Sequence, residues 1–292
     1  KDIPFEFNGM HCCKAHGGLE LPVLPGGAAP FGNFPDYSRF HPPEGRVRLL
    51  PAALLSELFP NPRAGPLLGL DVGCNSGELS IALYRHLIGL QESKVSLEHS
   101  MAGKDLNLLC CDIDAGLIER AKQRSPFPGS ISYAALDIMD SSVREALLGC
   151  YLSKFGRSTF DICFCMSVTM WIHLNHGDSG LVKLLSYLAS KCIYLLIEPQ
   201  PWKCYRAAAR RLRKLGRHDF DHFRSLTISG NMAEKITQIL TEDGAMELVC
   251  CFGSTSWDRS MLLFKSKAAH TSTLDCFEIS RGVEKSVVAF YL

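Results

Sequence analysis

A glycine-rich turn near residue 70 carries the residues best suited to bind a phosphate or a nucleotide cofactor. An apolar run from Leu67 leads to Asp71, and a helical pattern begins after Gly77. A strand, a tight glycine turn and a helix form the ligand-binding corner of open α/β sheets, because glycine lets the backbone approach a ligand closely. The dinucleotide fingerprint is absent, since Asn75 stands two residues after Gly73 where that motif needs glycine. A phosphate-binding loop ending in Gly-Lys-Ser or Gly-Lys-Thr is absent as well.

The pattern that remains, D-x-G-x-x-x-G from Asp71 to Gly77, is similar to motif I of class I S-adenosylmethionine (SAM) methyltransferases. The usual middle glycine is replaced by Asn75, the non-glycine residue type that best tolerates a left-handed backbone. The side-chain amide of Asn75 could also bond the cofactor. We therefore predict that Asp71, Gly73 and Asn75 bind SAM. The alternative is a structural turn between strand and helix that holds no ligand.

Acidic residues follow the next two predicted strands. Asp112 ends the second strand, where an acid typically holds ribose hydroxyls, and Asp137 follows the third, where it can accept from an adenine amine. Ile138 and Met166 are placed to pack on the two faces of the adenine ring. Because the carboxyl ends of parallel strands meet at the switch point of the sheet, these residues should surround one ligand. The alternative is a set of strand-end acids and core apolar residues.

A basic segment follows the fifth predicted strand. Between Lys203 and Arg217 there are seven basic residues and no acid. At helical spacing, one side is apolar, with Tyr205, Ala208, Leu212 and Leu215, and another carries Arg206, Arg210, Arg213 and Arg217. A basic helix beside a methyl-donor pocket indicates a polyanionic substrate, of which RNA is the natural example. The candidate RNA-binding residues are Lys203, Arg206, Arg210, Arg213 and Lys214. The alternative is a solvated basic face.

The segment after the fourth predicted strand supplies candidates for positioning a phosphate: His173, Asn175 and His176. It lacks the Asn/Asp-Pro-Pro-aromatic sequence of enzymes that methylate base amino groups. A phosphate oxygen is already anionic near neutral pH, so its methylation needs alignment of oxygen, methyl and sulfur rather than a general base. The alternative is a turn that leads to a helix capped by Asp178.

Seven predicted strands carry these residues, and helices separate most of them. The strands span 67–71, 106–111, 131–135, 160–166, 192–197, 246–252 and 261–265. Helices are predicted at 115–124, 143–155 and about 232–242, and residues 91–104 are read as an inserted loop. The alternation predicts an α/β fold with a parallel sheet covered on both faces. The last two strands lack a helix between them and should form an antiparallel hairpin, which is the Rossmann-like class I methyltransferase plan.

A proline-rich aromatic segment, 31–46, precedes the first strand. It cannot form a regular helix, so we expect an ordered lid that carries Phe31, Phe34, Tyr37 and Phe40. A helix should then begin at Arg46 and present apolar residues as far as Leu58. We predict a loose N-terminal arm at 1–27, a single methyltransferase domain at 28–267 and a tail at 268–292.

Composition excludes several classes of protein. The net charge is only +1, from 31 basic and 30 acidic residues, so any nucleic-acid surface must be local. No apolar run approaches the length of a membrane span, and no signal pattern opens the chain. The 13 cysteines include no Cys-x-x-Cys pair, which favours reduced thiols in a cytosolic or nuclear protein. No metal site is predicted, because the 11–16 Cys/His cluster lacks a second ligand group and 218–222 is typical of a surface turn.

Five segments together resemble one family. They are Phe-Gly-Asn-Phe (31–34), Glu-Gly-Arg (44–46), Leu-Asp-Val-Gly-Cys-Asn-Ser-Gly (70–77), Trp-Ile-His-Leu-Asn-His-Gly-Asp (171–178) and Glu-Pro-Gln-Pro-Trp (198–202). These segments are similar to the bicoid-interacting-protein-3 family of RNA 5′-phosphate methyltransferases. The resemblance covers roughly residues 28–267. It is greatest to the short cytoplasmic branch, which methylates the 5′-monophosphate of histidine tRNA and microRNA precursors.

The resemblance implies SAM as cofactor, a small RNA with a 5′-monophosphate as substrate and a cytoplasmic location. It places cofactor contacts on Arg46, Asn75, Asp112, Asp137, Ile138 and Met166, and it extends to Tyr37 in a lid that is shorter than in the capping enzymes. Arg46 is expected to reach the carboxylate of the methionine moiety. Two other functions remain open from the sequence. One is SAM-dependent methylation of a small acid or a protein, and the other is RNA binding without catalysis.

Overall fold

One seven-stranded sheet organises the parts of the chain that the computed structural model describes, residues 29–61, 65–90, 105–216, 218–242 and 244–268. The strands are β1 (Leu67–Val72), β2 (Leu106–Asp112), β3 (Ile131–Ala135), β4 (Phe160–Met166), β5 (Cys192–Glu198), β6 (Met246–Ser254) and β7 (Ser260–Ser266). Their order is β3-β2-β1-β4-β5-β7-β6. The first five strands are parallel, and β7 is antiparallel to both β5 and β6. The predicted class I methyltransferase fold and its terminal hairpin are confirmed.

Helices cover the two faces of this sheet. They are α1 (Tyr37–Phe40), α2 (Glu44–Val47), α3 (Leu54–Leu58), α4 (Glu78–Leu87), α5 (Ala115–Arg124), α6 (Ser141–Ser153), α7 (Thr169–Lys191), α8 (Trp202–Lys214) and α9 (Met232–Glu242). One apolar cluster joins the sheet to α6, α7, α8 and α9, and a second joins it to α3, α4 and α5. Strands β1, β4 and β5 are almost entirely apolar because both of their faces are buried.

Two predicted helices differ from the structure near their starts. α6 begins two residues earlier than expected, because Asp140 caps it and accepts from the backbone N–H groups of Ser142 and Val143. The helix predicted from Arg46 to Leu58 is wrong, since α2 and α3 are separate. Pro51 lies between them, and proline has no N–H with which to continue a helix.

The helix after β4 also differs from its prediction. α7 begins at Thr169, so residues 171–173 are helical rather than a loop. Gly177 interrupts α7 with a φ of 70°, a value that favours glycine. Asp178 does not cap the helix. Its carboxylate instead accepts from the backbone N–H groups of Thr227 and Ile228, and so it ties a distant loop to the bend in α7.

Several predictions concern residues outside the described ranges. The arm at 1–27 with its Cys/His cluster, the insertion at 91–104, Arg217 and nearly all of the tail lie there. The division into arm, domain and tail therefore stays a prediction. Within the described ranges no group of three or more His, Cys, Asp or Glu residues could hold a metal ion. The helices in those ranges include none that is long and apolar enough to cross a membrane.

Candidate functional site

The glycine turn after β1 is held against the end of β2. Asn75 adopts the predicted left-handed backbone with a φ of 53°. Its backbone N–H donates to Asp112 Oδ2 at 2.8 Å, and the other carboxylate oxygen of Asp112 accepts from the N–H of Asp114 at 3.0 Å. The Asn75 side chain donates to the carbonyl oxygen of Phe34, which joins the turn to the segment above it. Asp112 thus sets the geometry of the turn.

A cavity opens at the carboxyl ends of the strands, beside this turn. We name it the main cavity. It brings together six of the eight predicted cofactor-binding residues, Gly73, Asn75, Asp112, Asp137, Ile138 and Met166. A smaller side cavity adjoins it and is lined by the other two, Asp71 and Arg46, together with Gly73, Asn75 and Met166. Carboxylates and apolar side chains therefore meet around one space, as the strand-end argument predicts. Their contact with a cofactor stays a prediction.

Burial makes two of these carboxyl groups harder to ionise. It raises the pKa of Asp71 to about 6, although the hydroxyl of Ser80 donates to the carboxylate. It also raises the pKa of Asp112 to about 6, although the backbone N–H groups of Asp114 and Asn75 donate to the carboxylate and act to lower this pKa. The bond to Ser80 joins β1 to α4, so in this structure Asp71 holds the strand and helix together on either side of the turn.

We expect Asp71→Asn to change how stability depends on pH. A native pKa near 6, against an ordinary value of 3.8, means that the folded protein binds more protons than the unfolded chain between these values. The contribution of Asp71 is therefore fully present below pH 3.8 and is lost as pH rises through 6. Asparagine can accept from Ser80 without ionising. The free energy of unfolding of the variant, relative to that of the parent, should therefore rise by up to about 3 kcal/mol as the pH increases from 4 to 7.5. Urea unfolding at both pH values measures this, and a constant difference between the two proteins would contradict it.

The lid, residues 31–46, lies over the main cavity. Phe31, Gly32 and Tyr37 line that cavity. A Cβ at Gly32 would overlap the indole of Trp171, so glycine is needed where the lid rests on α7. Asn175 donates from its amide to the carbonyl oxygens of Pro30 at 3.0 Å and Trp171 at 2.8 Å. The lid is thus fastened to the first turns of α7.

The three candidates for positioning phosphate separate in the structure. Asn175 and His176 line the main cavity, although the amide of Asn175 donates to Pro30, just before the lid, and to Trp171 of α7. His173 is fully buried, with Nδ1 bonded to the Tyr205 hydroxyl at 3.0 Å and Nε2 to Asp178 at 2.7 Å. Burial lowers its pKa despite the Asp178 carboxylate. The prediction that His173 binds phosphate is therefore wrong, because both ring nitrogens are used inside the core.

A cleft between the lid and α8 adjoins Tyr37. We name it the basic cleft. Its lid side is aromatic, with Phe34, Tyr37, Phe40 and His41, and its helix side carries Ala207, Arg210, Arg211, Lys214 and Leu215. The guanidinium carbon of Arg211 lies 4.6 Å from the centre of the Phe34 ring, a cation–π contact. Cations and aromatic rings thus face each other across the cleft.

Only part of the predicted RNA-binding set lines the basic cleft. Arg210 and Lys214 do, whereas Lys203 pairs with Asp258 at 2.8 Å and Arg213 lies 3.8 Å from Asp219. Arg206 is exposed on α8 but does not line the cleft. Arg211, which lines the cleft, is not among the residues predicted to bind RNA.

A buried ionic network of charged and hydroxyl side chains lies beside the main cavity and the side cavity. Arg46 donates from Nε to Glu198 at 3.0 Å and from Nη2 to the hydroxyls of Ser167 at 3.0 Å and Tyr37 at 3.2 Å. Its Nη1 donates to the carbonyl oxygen of His41 at 3.2 Å. A guanidinium has five N–H donors, so these four bonds leave one N–H, and Arg46 is among the residues that line the side cavity. The expected bond from Arg46 to the carboxylate of the cofactor would use that remaining N–H, and it stays a prediction.

Comparison with known proteins identifies the family. The family model described as Bicoid-interacting protein 3 (Bin3) matches residues 160–266. The RNA 5′-monophosphate methyltransferase of Bos taurus is 61% identical over 271 residues, which covers 92% of this chain and 92% of that protein. The chain belongs to the Bicoid-interacting protein 3 family. Another relative, the pre-miRNA 5′-monophosphate methyltransferase of Xenopus laevis, is 61% identical over 251 residues, 84% of this chain and 95% of that protein.

Among solved structures, the N-methyltransferase NodS from Bradyrhizobium japonicum WM9, in complex with S-adenosyl-L-homocysteine, is 20% identical. The match covers 80% of this chain and 92% of that chain with a TM-score of 0.46. The Bin3 match itself spans β4 to β7. That part of this family member contributes Glu198 and all of α8, so it supplies the carboxylate of the ionic network and the helix side of the basic cleft.

Proposed function

We propose that this family member transfers a methyl group from SAM to the 5′-monophosphate of a small RNA. The observation that carries the proposal is that the main cavity, the side cavity and the basic cleft all meet at Tyr37. A cofactor in the first two would present its reactive end to an anion in the third. The names of the relatives, RNA and pre-miRNA 5′-monophosphate methyltransferases, support the same reaction.

The residues of the two cavities fit SAM. Asp112 and Asp137 offer acceptors for hydroxyl and amine groups, and Ile138 and Met166 offer apolar surfaces for an aromatic ring. Arg46 has one N–H left for a carboxylate. When bound, SAM supplies an electrophilic methyl group on a sulfonium. The work left to the protein is to hold the cofactor, align the acceptor oxygen and exclude water.

The acceptor needs no base from the protein. A phosphate monoester loses its second proton with a pKa near 6, so its oxygens are anionic at neutral pH. Two of the histidines in this region are weak candidates for a base: His173 is buried in the core, and burial together with Arg259 and Arg46 lowers the pKa of His41 to about 4. We assign the cations of the basic cleft, Arg210, Arg211 and Lys214, to the attraction of the RNA backbone.

Methylation of matched RNAs tests the proposed function. One sequence would carry a 5′-hydroxyl, a 5′-monophosphate or a 5′-triphosphate, and labelled SAM would report transfer. We expect label on the monophosphate RNA, and we expect that label to protect the end from phosphatase. Equal labelling of the hydroxyl RNA would contradict a phosphate acceptor. Absence of label on every RNA, with SAM bound, would favour RNA binding without catalysis or a small acceptor.

The finer parts of the proposal concern the natural substrate and location. We propose histidine tRNA and microRNA precursors as substrates, and a cytoplasmic location, on the resemblance to the short branch of the family. Initial rates on the two RNAs, each with a 5′-monophosphate, compare them directly. An unrelated RNA with a 5′-monophosphate is the control. This choice of substrates would be contradicted if neither histidine tRNA nor the microRNA precursor reacted faster than the control.

A further inference from the structure

Two buried arginines lie near one buried carboxylate, which Arg46 contacts directly and Arg259 reaches through the Ser167 hydroxyl. Arg46 is 1% exposed, Arg259 is 7% exposed and Glu198 is fully buried. His41 adjoins both arginines and is neutral at physiological pH, because burial, Arg259 and Arg46 lower its pKa to about 4. The buried carboxyl of Asp71 also acts electrostatically on Arg46. A buried charge is costly unless it is paired and hydrogen-bonded, so the bonds that Arg259 makes need an explanation.

Arg259 donates hydrogen bonds to the same two hydroxyl oxygens as Arg46. Its Nη1 donates to the Tyr37 hydroxyl at 2.8 Å and to Ser167 Oγ at 2.6 Å. The corresponding bonds from Arg46 are longer, 3.2 Å and 3.0 Å. Ser167 in turn donates to Glu198. Each hydroxyl oxygen thus receives two charged donors, which leaves little freedom in the position of either oxygen.

The two residues that carry these hydroxyls, Tyr37 and Ser167, belong to the site. Tyr37 lines the main cavity, the side cavity and the basic cleft. Ser167 lines the main cavity between Met166 and Val168, which line it too, and its φ of 62° is a strained value for serine. Strained backbone persists only where surrounding bonds hold it, and Arg259 supplies the shorter of the two guanidinium bonds to Ser167.

The backbone before β7 anchors Arg259. Its N–H donates to the hydroxyl of Thr255 at 3.1 Å, and its carbonyl oxygen accepts from the N–H of Thr255 at 2.9 Å. Arg259 itself is not among the residues that line the three cavities. Any effect of Arg259 on a ligand must therefore pass through the residues it holds.

We propose that Arg259 is a positioning residue for methyl transfer, which fixes Tyr37 of the lid and Ser167 of the cavity wall relative to each other. This inference rests on the proposed function. Both bonds come from one nitrogen, Nη1, which the planar guanidinium holds in place, whereas a lysine ammonium stands on a flexible stem and is less fixed in position. Misplacement of groups by about 1 Å can lower the rate of a reaction about 100-fold. Arg259 lines none of the three cavities, so its replacement should change ligand binding less than rate.

The test compares Arg259→Lys and Arg259→Gln with the parent on 5′-monophosphate RNA. We expect kcat to fall about 100-fold, with the Kd for SAM and the KM for RNA each within about threefold of the parent. Tyr37→Phe removes one of the two oxygens that Arg259 holds. In the Tyr37→Phe background, Arg259→Lys should lower kcat by a much smaller factor than it does alone. The double-mutant cycle measures this difference.

Arg157→Lys is the matched control. Arg157 pairs with buried Asp161 at 2.8 Å next to β4 and lines none of the three cavities, so its loss should lower stability and leave kcat unchanged. Parent-like kcat in both Arg259 variants, or fully independent effects in the cycle, would overturn the proposal. Loss of folding in both variants would assign Arg259 to stability alone and overturn it too. An inactive parent would instead contradict the proposed function.

Discussion

Replacing Asp112 by alanine should weaken the binding of SAM by at least about 100-fold while the protein stays folded. The carboxylate already accepts two backbone N–H groups, from Asn75 and Asp114, and so it shapes the turn that lines both cavities. Asp112 also lines the main cavity, where the proposed function assigns its remaining lone pairs to ribose hydroxyls. Hydrogen bonds to a charged group contribute about 1.5–3 kcal/mol each, and every 1.4 kcal/mol is tenfold in affinity.

Titration calorimetry with SAM measures this effect, and Asp140→Ala is its matched control. Asp140 also accepts two backbone N–H groups, as the cap of α6, but it lines none of the cavities. The control should lose about 1 kcal/mol of stability and none of its affinity for SAM. Because burial raises the pKa of Asp112 to about 6, the parent should also bind SAM more weakly below pH 6. A folded Asp112→Ala protein with parental affinity would show that SAM binds elsewhere.

The second large effect concerns the RNA. A triple charge reversal, Arg210→Glu with Arg211→Glu and Lys214→Glu, should raise the KM for RNA and leave the Kd for SAM unchanged. Each phosphate contact contributes about 0.9 to the slope of log affinity against log salt for duplex nucleic acid. Loss of two or three contacts should therefore lower that slope by roughly two to three units. Binding of a 5′-monophosphate RNA across a salt series measures the slope.

The same helix offers a control with the same change in charge. Lys203→Glu, Arg206→Glu and Arg213→Glu together reverse three cations of α8 that do not line the basic cleft. Two of these cations already pair with acids, Lys203 with Asp258 and Arg213 with Asp219. The slope of the control should change by less than one unit. Equal slopes in the two triple variants would show that the net charge of α8, rather than the cleft, attracts RNA.

The strands could be predicted closely from the sequence because their signals are local. A run of apolar residues ended by an acid or a turn identifies a buried parallel strand, and the predicted bounds of β3 and β4 agree with the structure. Parallel strands then bring their carboxyl ends to one edge, and this rule alone placed Asp112, Asp137 and Met166 around a single cavity.

The ionic network could not be predicted, because it joins residues far apart in the sequence. Arg46 and Glu198 are separated by 152 positions, and Arg259 and Tyr37 by 222. No local pattern marks such pairs. The face of α8 was misread for a related reason. Helical spacing identifies the buried side, but only packing against the lid decides whether Arg211 or Arg213 faces the cleft.

The position of β7 has a consequence for the order in which the protein is made. β6 reaches the sheet only through β7, although the ribosome synthesises β6 first. β6 therefore cannot join the sheet through this pairing before residues 260–266 are synthesised, because they lie between it and β5. Arg259 arrives with that last strand. The strand ends that surround the main cavity come from β1 to β4 and can assemble earlier, so the nascent domain forms its cofactor side before Tyr37 gains its second arginine.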